Sequence, residues 1–426
     1  MVRSNTYSLP GEKQAQWFRW SLYFLACLFI LNCFTPLRIH YDMLRYFSIK
    51  DCIESQCPPW ADPKDYMPYG YTALLLGLSK LGLLKSFSLV AINGIYLAGG
   101  LYFVRNTFQF IGKPFFLFCL VLLNWTIIKF YVHPLSEMQY LFFSLGSIYS
   151  FQLFSEHRNW GHLILAFFLA VLAFLTRTVG ITLVAALFLS LIWEYKMILW
   201  ELVRKNRILL LVFGVFLVGL LFFSRQLGLV HYTGVMSKQF KEGLGFTDVI
   251  KWHFTEWGEI WLNTSKYKWL SLMPAGLGEG IFLIAGVLAV AGFIYLCFIR
   301  KNRVPFVVKT YLLFYILLLF NWPFPDPRFW VPIIPLMAAV VCQTFLSSNP
   351  VIRISSLSYL LLYIFLGLAS LGFMTYTSFN KKEFAKTQAK GDYRNEYEVH
   401  FFGKTLSDTA TRVDPNLVQF LNKYDR

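Results

Sequence analysis

"YGYTALLLGLSKLGLLK", residues 69–85, decides how this chain is threaded. It is apolar from Tyr69 to Leu84, but Lys80 interrupts it and Lys85 closes it. A helix needs about 20 predominantly apolar residues to cross a hydrocarbon core ~30 Å thick. This stretch falls short, so we read it as a juxtamembrane helix lying at the interface. Counting it as a span would reverse every later loop and place the basic stretch Lys196 to Arg207 on the opposite face.

The surrounding composition requires a membrane. Of 426 residues, 57% are hydrophobic and 15% charged, with a mean hydropathy of +0.52. Apolar runs of about 17–22 residues recur, the length that spans a bilayer. The periodicity predicts an all-α polytopic membrane protein of about eleven transmembrane helices, with juxtamembrane helices in the first external loop. The spans fall at 17–35, 87–104, 115–131, 138–155, 163–175, 179–195, 208–224, 279–298, 305–321, 331–347 and 356–376. The first run is too long for a signal-peptide core and lacks a small-x-small cleavage site, so it reads as a retained helix. The pair on either side of Arg177 is short enough to be a hairpin that does not cross fully.

Charge orients this arrangement. Arg19, Arg105, Arg158, Lys196, Arg300 and Arg353 mark six basic loops or flanks that fall on one face when eleven spans are counted. That face is cytoplasmic by the positive-inside rule. The net charge of +16 is therefore largely topological, and it also suits anionic lipid head groups. The basic residues form no separate domain, which excludes nucleic acid as a partner.

The external face carries the first loop 36–86, the long loop 225–278, the segment "NWPFPDPRFW" (321–330) and a polar tail. Residues 1–376 form the transmembrane unit. The tail, 377–426, is too short and too poor in apolar residues for a strong independent core. No internal repeat or low-complexity tract is present. Cys52 and Cys57 share the polar loop "DCIESQCPPW", where an oxidising compartment would allow a disulfide. The other five cysteines lie in or beside apolar helices and read as small hydrophobes. Trp252, Trp257, Trp261 and Trp269 of the long loop read as interfacial anchors, or as faces on which sugar rings stack.

Four charged residues stand where charge is expensive or fixed. Asp42, in "TPLRIHYDMLRYF", follows the first span and is flanked by Tyr41, Arg45 and Tyr46. A carboxylate there can accept a proton from an attacking hydroxyl, or hold a metal against a phosphate. It can equally be a solvated loop acid. Glu137, in "HPLSEMQYLFF", opens the fourth span beside His133. It is either a first-turn acid behind a Ser136 cap or a second active-site carboxylate. Arg177 interrupts "LAFLTRTVGITLVAALF", and an arginine at membrane depth marks a cavity or a partner. Arg328 follows Pro323, Pro325 and Pro327, which stiffen its loop. Its guanidinium can grip a phosphate bidentately or pair with Asp326. Tyr69, His133 and His253 are candidate substrate contacts.

Taken in order and by topological side, these pieces resemble the GT-C superfamily of polyprenyl-phosphate-dependent glycosyltransferases over residues 17–350. The pieces are Asp42 after the first span, "PYGYTALLLGLSKLG", "LSEMQYLFFSLGSI", "FLTRTVGITL" and "PDPRFWVPIIPL". The last three look most like the mannosyltransferase branch. The resemblance implies a catalytic Asp on the first external loop, here Asp42, and a second acid before the fourth span, here Glu137. It implies that Arg328 or Arg177 holds the lipid phosphate of a polyprenyl-phosphate sugar donor. The acceptor would be the hydroxyl of a glycan, lipid or protein. The family's Asp-Glu pair is absent, since Met43 follows Asp42. The cofactor is therefore unknown: a divalent cation is compatible with the pattern and is not required by it.

Two other classes use similar chains. A flippase or transporter for lipid-linked sugars would show inverted repeats and broken midplane helices. Here no repeat is found and the polar residues gather on one face. An O-antigen ligase or polymerase shares the lipid-linked substrate, but the first-loop Asp and its juxtamembrane helix argue against it. A scaffold would leave Asp42 and Arg177 unexplained. The bacterial inner (plasma) membrane and the endoplasmic reticulum both suit this topology. In the latter, Asn263-Thr264-Ser265 would be an N-glycosylation sequon.

Overall fold

The structure, a computed structural model, describes residues 12–55, 57, 66–108, 114–205, 229–274, 276–300, 304–345, 350–406 and 412–425. Among these residues the fold is all-helical. The expected span at 208–224 lies outside them. Four helical stretches, 86–107, 178–196, 277–299 and 353–379, are long and apolar enough to cross a membrane. A bent pair, α5 (Pro114–Leu122) and α6 (Trp125–Tyr131), makes a fifth if it counts as one span. Arg19–Phe34, Trp160–Thr176, Phe306–Phe320 and Pro327–Cys342 are apolar but shorter. This fits an α-helical membrane protein with four or five candidate spans.

The chain opens with α1 (Glu12–Leu31), whose apolar outer face includes exposed Trp20, Tyr23 and Phe24. The segment between α1 and the next long helix holds two helices, α2 (Tyr41–Ile53) and α3 (Tyr69–Lys80). At 12 residues α3 rises only ~18 Å, too little to span a bilayer. Cys52 and Cys57 are disulfide-bonded at the end of α2, with Cα atoms 3.8 Å apart. α4 (Ser86–Thr107) then packs on α7 (Glu137–His157), and α7 packs on α8 (Trp160–Thr176). Both polar and apolar faces of α7 are buried, as expected of a central helix.

The third apolar run is not straight. It bends by 61° between α5 and α6. The cause is Asn124, which caps α6 by accepting hydrogen bonds from Thr126 N (3.0 Å) and Ile127 N (3.4 Å). Asn263 holds the other side of the break. It accepts from Trp125 N (2.7 Å) and donates to Leu123 O and Tyr363 O (both 2.8 Å). A broken helix is tolerated where neighbours satisfy the freed backbone groups.

α9 (Ile181–Lys205) runs ten residues beyond the expected end at 195, because "MILWELVRK" holds no breaker. α10 (Leu229–Lys241), α11 (Phe246–Trp261) and the short α12 (Lys266–Leu270) come next among the described residues. α11 lies backbone to backbone against α13 (Leu277–Ile294): a Cβ on Gly286 would fall 1.6 Å from Phe254 O. Trp257 is fully buried between Phe293 and Trp330, so it is core rather than an interfacial anchor or a sugar platform. α14 (Phe306–Phe320), a 3-10 segment (Pro327–Ile333), α15 (Ile334–Phe345) and the 30-residue α16 (Pro350–Phe379) follow. The polar tail folds as α17 (Lys381–Thr387), α18 (Arg394–Phe402) and α19 (Pro415–Tyr424). It has no separate core. Tyr397, Phe384 and Leu421 join the core of the main body, and Phe47 of α2 packs on Phe420 and Tyr424.

Candidate active site

Asp42 sits in the first turn of α2, where a carboxylate suits the helix dipole. His40 caps that helix, its Nδ1 accepting from Asp42 N at 3.2 Å. Arg328 comes from the far end of the sequence. Asp326 caps the 3-10 segment by accepting from Arg328 N (3.0 Å), Pro327 takes its first position, and Tyr315 donates to Phe329 O at 2.7 Å. The segment so fixed aims the Arg328 guanidinium at Asp42, with Nη2 and Oδ2 at 2.5 Å. Nε of Arg328 lies 3.0 Å from Asp326 Oδ2, too far off line for a hydrogen bond, so that contact is ionic. Both expected roles of Arg328, pairing with Asp326 and reaching into a site, are thus filled by one side chain.

Arg177 stands at the break between α8 and a 3-10 turn (Thr178–Gly180), with extended backbone. Gly180 lets that turn fold back: a Cβ there would lie 2.6 Å from the Phe174 backbone. Arg177 Nη1 donates to Glu137 Oε1 and to Ser136 Oγ (3.3 Å), and the guanidinium lies 5.6 Å from the Phe329 ring centroid. Ser136 does not cap α7 with its side chain. Its hydroxyl receives Tyr46 (3.1 Å) and Arg177 instead, so the side-chain cap is absent while Glu137 stands in the first turn of α7 as that reading also expected. Glu137 is 1% exposed, and its Oε1 also lies 3.9 Å from Arg328 Nε. Its Oε2 is buried without a hydrogen-bond partner among the described residues.

Asp42, Arg328, Asp326, Glu137 and Arg177 therefore form one chain of charge, with Arg45 3.9 Å from Asp42 at its rim. It borders a cavity of about 660 Å³, whose lining includes Asp42, Arg45, Arg177 and Arg328. Met236, Leu318 and Leu319 give that cavity an apolar wall. Glu137 is not in the lining and reaches it only through the two arginines. Burial pushes the Asp42 carboxyl up, but Arg328 and His40 outweigh burial and hold it below its usual value. The His40 imidazole is lowered by burial and then by Arg328. Arg328 is raised: burial opposes its charge, but Asp326, Asp42 and Glu137 together favour it.

The three candidate substrate contacts lie elsewhere. Tyr69 opens α3, is 53% exposed, and is not in the cavity lining. His133 is buried, bonded through Nδ1 to Lys129 O (2.8 Å) and edge-on to His40 at 6.3 Å. His253 is fully buried, with Nδ1 at 2.7 Å from Glu256 Oε2 and Nε2 at 2.8 Å from Trp322 O. Both its ring nitrogens are engaged inside the core, so it holds α11 in place and is sealed from the cavity. His40, Tyr66 and Tyr232 were not anticipated. The Arg45 guanidinium lies 4.4 Å from the Tyr66 ring centroid, and Tyr66 packs edge-on against Tyr232 at 5.3 Å. The one available signal for His40 was its place two residues before Asp42. Among the described residues, no three His, Cys, Asp or Glu side chains gather as a metal-binding group. Compared with known proteins, the chain matches no family model, no curated protein and no solved structure.

Proposed function

We propose that this protein is a membrane-embedded glycosyltransferase of GT-C type. It moves a sugar from a polyprenyl-phosphate donor to an acceptor hydroxyl at the external membrane face, with inversion. One observation carries the reading: Asp42 and Arg328 meet at the edge of a cavity with a charged end and an apolar wall. That pairing of features suits a phosphosugar attached to a lipid, and the volume lies within the usual range for ligand sites. In the same reading, eleven spans are α1, α4, the bent α5–α6 pair, α7, α8, α9, the run at 208–224, α13, α14, the 3-10 segment together with α15, and α16.

The chemistry follows from the charges. Paired with Arg328, the Asp42 carboxylate is a weak base. A donor phosphate competes for the same guanidinium. As Arg328 turns to the phosphate, Asp42 loses its partner and its proton affinity rises. The acceptor hydroxyl then gives its proton to Asp42 while its oxygen bonds to the anomeric carbon. The bond from that carbon to the phosphate oxygen breaks, and its electron pair leaves with the polyprenyl phosphate. Charge grows on the phosphate in the transition state, so a fixed arginine stabilises that state more than the ground state. Glu137 acts behind this step by holding Arg177 at the cavity.

The test uses purified protein in nanodiscs with a panel of polyprenyl-phosphate sugars. Asp42→Asn keeps size and shape and removes charge; it should lower turnover on an accepted donor by about 10²-fold or more, with donor binding retained. Arg328→Ala should weaken donor binding. Wild-type turnover by Asp42→Asn would remove Asp42 from the mechanism and with it the main support for this function.

A further inference from the structure

The segment between α1 and α2, residues 35–40, carries His40 and Asp42 into the site without being helical through Leu37 to His40. An irregular segment at this depth must find partners for its backbone groups outside itself. It finds them in the tail. Leu37 N donates to Asp425 Oδ1, Ile39 N donates to the Tyr397 hydroxyl at 2.9 Å, and that hydroxyl donates to Leu37 O. Gln388 Nε2 donates to Ile39 O at 3.2 Å. Three tail side chains thus satisfy all four backbone groups of Leu37 and Ile39. Arg38, between them, is 2% exposed and donates to Ser378 at the end of α16, and its guanidinium lies 5.0 Å from the Phe384 ring centroid in α17.

The tail side chains are themselves held. Tyr397 is fully buried, packed against Phe384 and Phe401. Asp425 Oδ2 lies 2.8 Å from His400 Nε2, and His400 Nδ1 lies 2.8 Å from Asn422 Oδ1. Gln388 opens a turn in which Ala389 and Lys390 take left-handed backbone (φ 46° and 61°), a conformation that residues with side chains seldom adopt. Farther along α2, Lys50 donates to the Tyr424 hydroxyl and Tyr424 donates to Asp51, both at 3.1 Å.

From this we infer that residues 380–406 and 412–425 are the positioning element of the site, with Tyr397 as the positioning residue that sets where His40 and Asp42 stand. Arg328 is fixed by its own capped segment, so the tail governs one half of the Asp42–Arg328 pair and leaves the other alone. The turnover part of this inference rests on the proposed function; the positioning part does not.

The test uses the full chain in nanodiscs. Tyr397→Phe keeps the ring and its packing and removes only the hydroxyl; Gln388→Ala is the second variant. Amide hydrogen exchange should quicken about fivefold or more over residues 37–42 in both, the loss expected for one hydrogen bond. Exchange in α4 and α7 should not change. With an accepted donor, Tyr397→Phe should lower kcat about tenfold through misplacement of Asp42, while the donor KM, set by Arg328, stays within about twofold. Unchanged exchange over 37–42 in both variants would overturn the inference. So would faster exchange with unchanged kcat, or a rise in KM alone. A wild type that transfers no sugar from any donor would count against the proposed function, and the exchange result would then decide the positioning role alone.

Discussion

Glu137 and Arg177 offer the strictest test of the charge chain, because their coupling can be worked out before any substrate is known. Glu137 is buried, and its Oε1 takes Arg177 and, at 3.9 Å, Arg328. Two unit charges about 4 Å apart attract by ~4 kcal/mol at the effective dielectric suited to protein sites. Removing one partner of a buried pair typically costs ~3–5 kcal/mol, since the other charge is left behind. Arg177→Gln should fall near the lower end, about 3 kcal/mol, because Arg328 still faces Glu137. Glu137→Gln strands a charge that is 17% exposed at the cavity, so about 1–2 kcal/mol is expected. The double variant leaves two neutral amides able to bond each other and should cost only about 1 kcal/mol. The coupling energy is then ~3 kcal/mol. Reversible denaturant titration of the four proteins in mixed micelles, followed by tryptophan fluorescence, measures it. Additivity of the single effects within ~0.5 kcal/mol would show that the two charges do not interact and would break the chain joining Glu137 to the cavity.

Two further outcomes follow from buried polar groups. Asn263, 0% exposed with its side-chain amide spent on the α5–α6 break, should carry no glycan when the chain is made in a secretory compartment, as intact mass would show. Asn263→Ala should cost about 2–3 kcal/mol by taking the side-chain partner from Trp125 N and Leu123 O at the break, seen in the same denaturant titration. Burial holds the Glu259 carboxyl up to about 7, so its contribution to stability is full below its ordinary value and is lost as pH rises through 7. Glu259→Gln should therefore stabilise the protein at pH 8, by up to about 3 kcal/mol, and change little near pH 4.5; equal effects at both would contradict the shift.

The sequence disclosed those features in which a charge stands in an apolar setting. Arg177 inside "FLTRTVG" and Arg328 among its prolines are each costly without a partner, so each pointed to one. Asp42 was marked by its place after the first span. Glu137 stayed double-edged, because Ser136 before it is as good a cap as a ligand-side hydroxyl; only the positions of Tyr46 and Arg177 separate the two. What stayed hidden depends on distant, neutral partners. Tyr397 meets Leu37 and Ile39 across some 360 residues with no pattern in either neighbourhood, so the tail looked like a loose appendage. The bend at Asn124 was hidden in the same way, since a single Asn in an apolar run reads as tolerable until Asn263 is seen across from it. His253 looked reactive as a letter, and Trp257 looked interfacial; burial against Trp330 makes both structural.

The charges that were legible also bear on the phosphodiester donor of the proposed function. Asp42, Glu137 and Asp326 face Arg45, Arg177 and Arg328, so the formal charges of these six side chains cancel. A polyprenyl-phosphate sugar would bring about one negative charge, which a neutral, partly buried site receives only by rearranging a pair. The Asp42–Arg328 pair borders the cavity on both sides, as do Asp326–Arg328 and Asp42–Arg45, whereas Glu137 lies behind its arginines. In the proposed transfer Asp42 gains a proton as the phosphate gains a charge, so negative charge moves from Asp42 to the leaving phosphate and the total is unchanged. In that reading Arg328 faces Asp42 before the movement and the phosphate during it. An arginine held only by Asp326 could bind a phosphate without sensing the acid. In the proposed transfer, one held by both Asp326 and Asp42 would couple binding of the donor to release of the base, and Asp42→Asn would abolish that coupling.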